Sequence, residues 1–398
     1  MLNENFYVKK RKLKAGLIST VFFVARLFPI NKRKIVFTSY EGDGGFGCNP
    51  RYIAEELHRQ RNDIAMVWLT HDPGKSFPYY IKPVKDNIFN TIYHLSTAKV
   101  WIDNYRKPYG TLKRKRQYYI QTWHATFGFK AVGLYRGKAF PKIARLVSEW
   151  DSKLIDYALS NSDYCDAIYP KKILYHGTMY RSGSPRCDCI INGRERLRKN
   201  IRERYHLPQD VYLVLYAPTF RAGDQNGKKI VAPNNVTLDF EAVRQALSSR
   251  FEGDWRFLLK LHPQLAAKMP QMPVKEKKDY LLDVSKADDI SELIAASDMV
   301  ITDYSSCAFD AGFCHIPVLL YADDIKDYVK SRGKFMWKRE EIPFLIAETN
   351  TDLVKNIKQF ELDKYNESIN SFMKKYNVVE DGHASEKVAD LVEKCMKI

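Results

Sequence analysis

The 398-residue chain reads as α/β, with two doubly wound parallel-sheet domains. Three observations predict this. Apolar β-rich runs alternate with helix-like segments from residue 34 onward; the same alternation restarts after a basic helix-like stretch at Cys189 to Tyr205; and the length exceeds one ordinary core. The first series is KIVFTS, a helix over Arg51 to Gln60, IAMVWLT, KVWID, YYIQTWH and DYALSNS. The second is VYLVLYAP, WRFLLKLHP, MVITDYSS and PVLLYA, with helices over Asp288 to Ser297 and Ser305 to Cys314. The expected division is a basic N-terminal segment 1–33, a first domain 34–200, a second domain 201–380 and a closing segment 381–398, whose helix runs roughly from Ala384 to Met396. Two such domains facing across a cleft would bring both sets of strand carboxyl ends, where ligands sit in open α/β sheets, to one site.

The formal charge of +17 calls for a phosphate-bearing or otherwise anionic partner. Its distribution is uneven: Lys9, Lys10, Arg11, Lys12, Lys14, Arg26, Lys32, Arg33 and Lys34 face Glu4 alone within the first 34 residues. Among them runs AGLISTVFFVARLF, Ala15 to Phe28, shorter than the roughly 20 apolar residues a spanning helix needs. A basic segment beside a short apolar helix suits an anionic membrane surface, so this end is expected to lie on a membrane rather than cross it; the competing expectation is a helix docked on the protein itself. Dispersed aromatics and the lack of a nucleic-acid module argue against a nucleic-acid partner. The seven cysteines are odd in number and scattered, so they are expected to stay reduced in a cytosolic setting. Cys187 and Cys189 form a lone C-x-C without a second ligand pair, so no metal site is expected.

Gly42 to Gly47 spells G-x-G-x-x-G after a strand. A dinucleotide pocket is nonetheless disfavoured, because Asn49 as N-cap and Pro50 at the first helical position put the helix start beyond the glycines. A mobile loop lining the cleft is the better reading. In the rival nicotinamide reading Asp72 would be the ribose-binding acid.

Three strand ends carry the chemistry. His124 closes YYIQTWH and His262 closes WRFLLKLHP, so each expected domain puts a histidine at a strand's carboxyl end. Imidazole titrates near neutrality, so one can take a proton from an attacking hydroxyl while the other stabilises a phosphate. Asp303, Tyr304, Ser305 and Ser306 close a third strand and lead into CAFDAGF, where two hydroxyls and the first N–H groups of a helix form an anion site. Asp310, a turn later, is placed to meet a ribose hydroxyl. From the residues alone the reading stops at a two-domain enzyme that handles a nucleotide diphosphate.

These segments resemble the CDP-glycerol glycerophosphotransferase family of wall teichoic acid synthesis. QTWHATFGFKAVGL, GSPRCD, YAPTFR, KLHP, DDISELIAASDMVITDYSSCAFD and DGHASEKVADLV follow that family's elements in order. The resemblance implies a GT-B-like fold of two Rossmann-like domains, with His124 and His262 as the catalytic pair. It also implies a CDP-alditol pocket in the second domain lined by Thr219, Arg221, Ser305, Ser306 and Asp310, with Asp289 and Asp303 contributing. The implied reaction is attack of an acceptor hydroxyl on the alditol-bearing phosphate of CDP-glycerol or CDP-ribitol, expelling CMP. The implied acceptor is a lipid-linked saccharide or polyol phosphate at the cytoplasmic membrane face; no cofactor is expected, and a loosely bound divalent cation is left open. Ala125 stands where the family commonly has glycine and Phe127 where it commonly has proline, both on the acceptor side. The alternative is a GT-B glycosyltransferase with a nucleotide-sugar donor.

Overall fold

The computed structural model describes residues 4–219, 221–225, 228–232, 236–261, 278–332 and 335–397, with the backbone alone for 221–225, 228–232 and 329–332. The chain forms two compact units: one holds the residues up to Thr126, Ala131–Asp188 and the chain from Tyr376 on, the other Phe127–Lys130 and Cys189–Lys375.

The first unit is built on seven parallel strands: β1 Asn31–Thr38, β2 Ala65–Thr70, β3 Ile81–Lys85, β4 Ala98–Asp103, β5 Tyr118–Gln121, β6 Tyr157–Ser160 and β7 Thr178–Arg181, in the order β3-β2-β1-β4-β5-β6-β7. Strands flanked by helices on both faces are apolar on both sides, and Ile35, Val36, Phe37, Trp101 and Ile102 are indeed fully buried. Val36 lies between Val67 of β2 and Trp101 of β4. The closing helix Ala384–Lys397 packs into this unit's core, with Val388, Ala389, Val392 and Cys395 against Ile53, Leu57 and Trp68.

The second unit repeats the arrangement with six parallel strands: β8 Tyr212–Ala217, β11 Trp255–Leu259, β12 Leu281–Asp283, β13 Met299–Thr302, β14 Val318–Tyr321 and β15 Leu345–Ala347, in the order β12-β11-β8-β13-β14-β15. An antiparallel pair, β9 Arg221–Gln225 and β10 Lys228–Ala232, follows β8. Phe127, in the short segment that joins this unit, packs among Phe309, Phe313, Trp337 and Phe372 with ring centroids 5.0 to 5.8 Å apart. In each sheet the strand order reverses once, between β1 and β4 and between β8 and β13. The carboxyl ends at such a reversal splay apart and leave room for a ligand.

The N-terminal helix spans Glu4–Val24, so the basic cluster lies on the helix rather than beside it. Lysine, arginine and leucine are good helix formers, and no proline intervenes before Pro29. A stripe of Val8, Arg11, Ala15, Ile18, Ser19, Phe22 and Ala25 turns inward, with Ala15, Phe22 and Ala25 buried. The helix crosses the first unit closely at Gly110, where a Cβ would sit 2.8 Å from the Ala15 carbonyl oxygen. The Ser19 hydroxyl donates to the Gly110 carbonyl at 2.9 Å. At the other end Glu4 accepts from the Lys142 backbone N–H at 2.7 Å. The outward side exposes Leu13, Leu17, Phe23 and Leu27. The helix is therefore docked on the protein along one face and apolar along another. Among the described residues, no helix is long and apolar enough to cross a membrane.

Candidate active site

His124 follows β5 beside the strand-order reversal of the first unit. Trp123 before it takes a left-handed conformation, φ 50°, which turns the imidazole out of the strand path. The ring packs against Trp123 at 4.8 Å, Tyr40 at 5.4 Å and Tyr105 at 5.7 Å between centroids, and the residue is half-buried. Its Nδ1 lies 2.8 Å from the Asn104 carbonyl oxygen at the end of β4. A carbonyl can only accept, so Nδ1 carries the proton and Nε2 keeps its lone pair. Burial draws the His124 pKa down to about 4; the Asn104 hydrogen bond opposes this, while the charges of Arg186, Lys172 and Arg106 add to it. Neutral imidazole with an open Nε2 is the form a general base requires.

The backbone around this ring is held by buried side chains. Gln121 accepts from the Trp123 N–H at 2.9 Å and donates to the Tyr119 hydroxyl and the Tyr105 carbonyl, each at 2.7 Å. Asn104 accepts from the Tyr40 N–H at 2.8 Å. Lys172, 5% exposed, donates to the Thr126 carbonyl at 3.0 Å, and burial lowers its pKa to about 8. Beneath lies a buried pair, Lys107 Nζ to Asp103 at 2.7 Å, with Asp151 beside it accepting from the Lys107 N–H at 2.8 Å. Burial, with the Asp103 charge, raises the Asp151 pKa to about 7.

Asn49 was expected to cap a helix and does not. The helix runs Cys48–Gln60 with Gly47 as its N-cap, so Asn49 and Pro50 lie inside the first turn, where proline is tolerated because its missing N–H has no helical partner. The Asn49 side chain, 2% exposed, donates to the carbonyls of Trp123 at 3.0 Å and Thr122 at 3.3 Å and accepts from the Arg186 N–H at 3.1 Å. The glycine-rich loop is pinned at Gly42, whose carbonyl accepts from the His71 N–H at 2.8 Å and the Thr70 hydroxyl at 3.2 Å. Asp72 is spent on a local turn, accepting from the Gly74 N–H at 3.1 Å.

In the second unit the strand-order reversal carries Thr219 and Asp303. Both Asp303 oxygens accept from the Thr219 N–H, at 2.9 and 3.1 Å, and one also accepts the Thr219 hydroxyl at 2.9 Å. Asp303 is 3% exposed and so ties the ends of β8 and β13 together from inside. Ser305 and Ser306 follow, half-buried, at the start of the helix Cys307–Phe313, with the Ser305 hydroxyl accepting from the Cys307 N–H at 3.4 Å. Asp310 lies on that helix, its N–H directed at the Ser306 carbonyl, 3.4 Å. Asp289 caps the helix Ile290–Ala296 by accepting from the Ser291 N–H at 2.9 Å. His262 and the Arg221 side chain lie outside the described residues. The structure thus places Thr219, Asp303, Ser305 and Ser306 at the carboxyl ends of the central strands β8 and β13, with Asp310 on the helix that follows, and sets His124 after the carboxyl end of β5 in the first unit. Asn49, Asn104 and Gln121 are the supporting residues the sequence reading missed; DN at the end of KVWID, a polar strand end like QTWH, was the available signal.

The family model for CDP-glycerol:poly(glycerophosphate) glycerophosphotransferase matches residues 20–394. The chain is 28% identical to a teichoic acid poly(glycerol phosphate) polymerase of Bacillus spizizenii, over 98% of this chain and 99% of that one. It is 30% identical to a teichoic acid glycerol-phosphate transferase of Staphylococcus aureus, over 96% and 98%. It spans 52% of the corresponding Bacillus subtilis polymerase. The solved wall teichoic acid polymerase TagF superposes with a TM-score of 0.81 at 26% identity, covering 100% of this chain and 98% of that one. A UDP-GlcNAc 2-epimerase of Methanocaldococcus jannaschii, TM-score 0.51 at 10% identity, shares the fold alone. The chain belongs to the CDP-glycerol:poly(glycerophosphate) glycerophosphotransferase family.

Proposed function

We propose that this chain transfers glycerol phosphate or ribitol phosphate from a CDP-alditol to a hydroxyl of a lipid-linked or polymeric acceptor, releasing CMP, in teichoic acid or related surface-glycan synthesis. Family membership supports the donor class, and relatives named as glycerol-phosphate and ribitol-phosphate enzymes leave both alditols open. The observation that carries the chemistry is His124 with Nδ1 tied to the Asn104 carbonyl, its pKa lowered by burial, and no partner of Nε2 among the described residues. In this reading the acceptor oxygen forms a bond to the alditol-bearing phosphorus while its proton passes to His124 Nε2. The bond from that phosphorus to the bridging oxygen breaks, and its electron pair leaves with CMP. No covalent enzyme intermediate is needed, so positioning and charge stabilisation dominate. Thr219, Ser305, Ser306 and Asp310 hold the donor, with Asp303 fixing the Thr219 backbone; Asp289, Arg221 and His262 are assigned to the same pocket by family resemblance. The reaction requires the donor held by the second unit to reach His124.

The exposed apolar side chains and lysines of the N-terminal helix support a peripheral position on an anionic membrane, where a lipid-linked acceptor resides. The deciding experiment supplies CDP-glycerol, CDP-ribitol and several nucleotide sugars with an acceptor and measures the nucleotide released. CMP from a CDP-alditol supports the reading. UDP or GDP release from a nucleotide sugar, with none from either CDP-alditol, refutes it. Sedimentation with anionic vesicles tests the membrane assignment, which fails if a Leu13→Ser, Leu17→Ser, Phe23→Ser variant binds as well as the parent.

A further inference from the structure

We infer that Arg11 of the N-terminal helix and Arg106 after β4 form a binding site for a phosphate ester of the acceptor beside His124. This rests on the acceptor reading above and adds the group through which the acceptor is recognised.

Five basic residues crowd the helix from Lys9 to Lys14, yet Arg11 alone lies on the inward stripe with Val8 and Ala15. That stripe is seated where Ala15 and Ser19 meet Gly110, one short segment beyond Arg106. The Arg106 guanidinium carbon lies 4.9 Å from the centre of the Trp123 ring, the residue next to His124. Among the described residues, the buried Nε atoms of both Arg11 and Arg106 have no hydrogen-bond partner. A buried guanidinium N–H without an acceptor is costly, and two near one site call for a shared anion.

Glu41 belongs to the short turn Tyr40–Gly42 that follows β1. It sits in a run of three left-handed residues, Tyr40, Glu41 and Gly42 with φ 49°, 59° and 88°, a conformation that costs a side-chain-bearing residue energy. Partial loss of solvent raises the Glu41 pKa, as do Asp103 and Asp43, while the charges of Arg106 and Arg11 pull it back. The charges of both arginines, on different elements, thus act on the same carboxyl group. Tyr40, at the start of this run, packs on the His124 ring. Arg186 and Lys172 add positive charge around His124. Two planar guanidinium forks match the tetrahedral oxygens of phosphate, each able to give paired N–H donors. A phosphate held there would set the attacking hydroxyl of a polyol phosphate, or of a lipid diphosphate saccharide, within reach of the imidazole.

The test is calorimetry of the full chain with a soluble three-unit oligo(glycerol phosphate), and separately with CDP-glycerol. Arg11→Gln and Arg106→Gln should each weaken oligomer binding about tenfold or more, the loss of charged hydrogen bonds, and leave CDP-glycerol affinity unchanged. Arg106→Lys, which keeps the charge but loses the fork, should fall between Arg106→Gln and the parent, and separates lost recognition from lost folding. Lys10→Gln, outside the inward stripe, should bind the oligomer as the parent does. A parent without measurable oligomer affinity, or oligomer affinity unchanged in both glutamine variants, overturns the inference. So does weakening seen only on phosphatidylglycerol vesicles, which would assign the arginines to bulk lipid headgroups, or equal weakening of donor and oligomer. Oligomer binding through both arginines in a chain that releases CMP from neither CDP-alditol would sustain this site and remove the donor reading.

Discussion

The side-chain amide of Asn49 donates to the backbone carbonyl of Trp123 at 3.0 Å, which joins the first turn of a helix to the strand end that presents His124. The same amide's oxygen accepts from the Arg186 N–H at 3.1 Å, so one buried residue holds three chain segments. Asn49→Ala leaves their polar groups unsatisfied, at roughly 1–3 kcal/mol. The expected result in urea denaturation is a lower midpoint with an unchanged slope. Single-turnover rate should also fall about tenfold or more because the imidazole loses its fixed position. An Asn49→Ala variant with parental rate and stability would show the link to be dispensable.

His124→Ala removes the proposed base and leaves the Thr219 and Ser305 region of the second unit intact. Turnover is expected to fall about 10²–10⁴-fold with donor affinity unchanged, measured by single turnover and calorimetry. Weakened donor binding with unchanged turnover would reassign the residue.

The pH profile follows from the lowered His124 pKa. With a folded value near 4 instead of 6.5, the imidazole is already neutral at pH 5.5, so the acid limb of kcat/KM should bend near 4. The sign for stability agrees: the folded state binds fewer protons than the unfolded state between about 4 and 6.5, so this contribution is full above 6.5 and is lost as pH falls through 4. An acid limb centred at 6.5 would mean that the ring is solvated or that another group is the base.

Asp151 has the opposite sign. Burial raises its pKa to about 7, so the folded state holds a proton that the unfolded state releases above 3.8. Its contribution is complete below 3.8 and is lost as pH rises through 7. Asp151→Asn imitates the protonated acid and keeps an oxygen for the Lys107 N–H and the Tyr119 hydroxyl. The difference in Tm between variant and parent should therefore grow in favour of the variant from pH 6 to pH 8. A difference that stays constant across that range would rule out titration at this site.

Ser305→Ala with Ser306→Ala removes two hydroxyls at the start of the helix Cys307–Phe313, one of which accepts from the Cys307 N–H. Donor affinity should fall about tenfold or more, because hydrogen bonds to charged groups are worth roughly 1.5–3 kcal/mol each, while loss of the Ser305–Cys307 hydrogen bond costs about 1 kcal/mol of stability. Equal CDP-glycerol affinity in variant and parent would dissociate these serines from the donor.

Both parallel sheets were legible in the chain because a strand covered on both faces must be apolar throughout, and Ile35 to Phe37, Val100 to Ile102, Leu213 to Leu215 and Met299 to Ile301 are. The strand ends were legible too, since a polar or titratable residue directly after such a run can only lie at the sheet's edge: His124, Asp303, Ser305 and Ser306 were found in this way. Local pattern failed where a side chain serves a distant segment. Asn49 has the composition of an N-cap, but its partners lie 74 and 137 positions away, and no local propensity reports them. Asp303 read as a strand-end acid, but that its oxygens hold Thr219, 84 positions earlier, was not legible. Arg11 is one of five clustered cations in the chain; which of them turns inward depends on the phase at which the helix meets Gly110 through Ala15, a pair 95 positions apart. Sequence by itself determined which segments become strands and helices, because backbone hydrogen bonding and the run or period of apolar residues act over a few residues. Tertiary structure alone decided which polar groups share a buried site, because desolvation and hydrogen-bond geometry depend on distances that only packing sets.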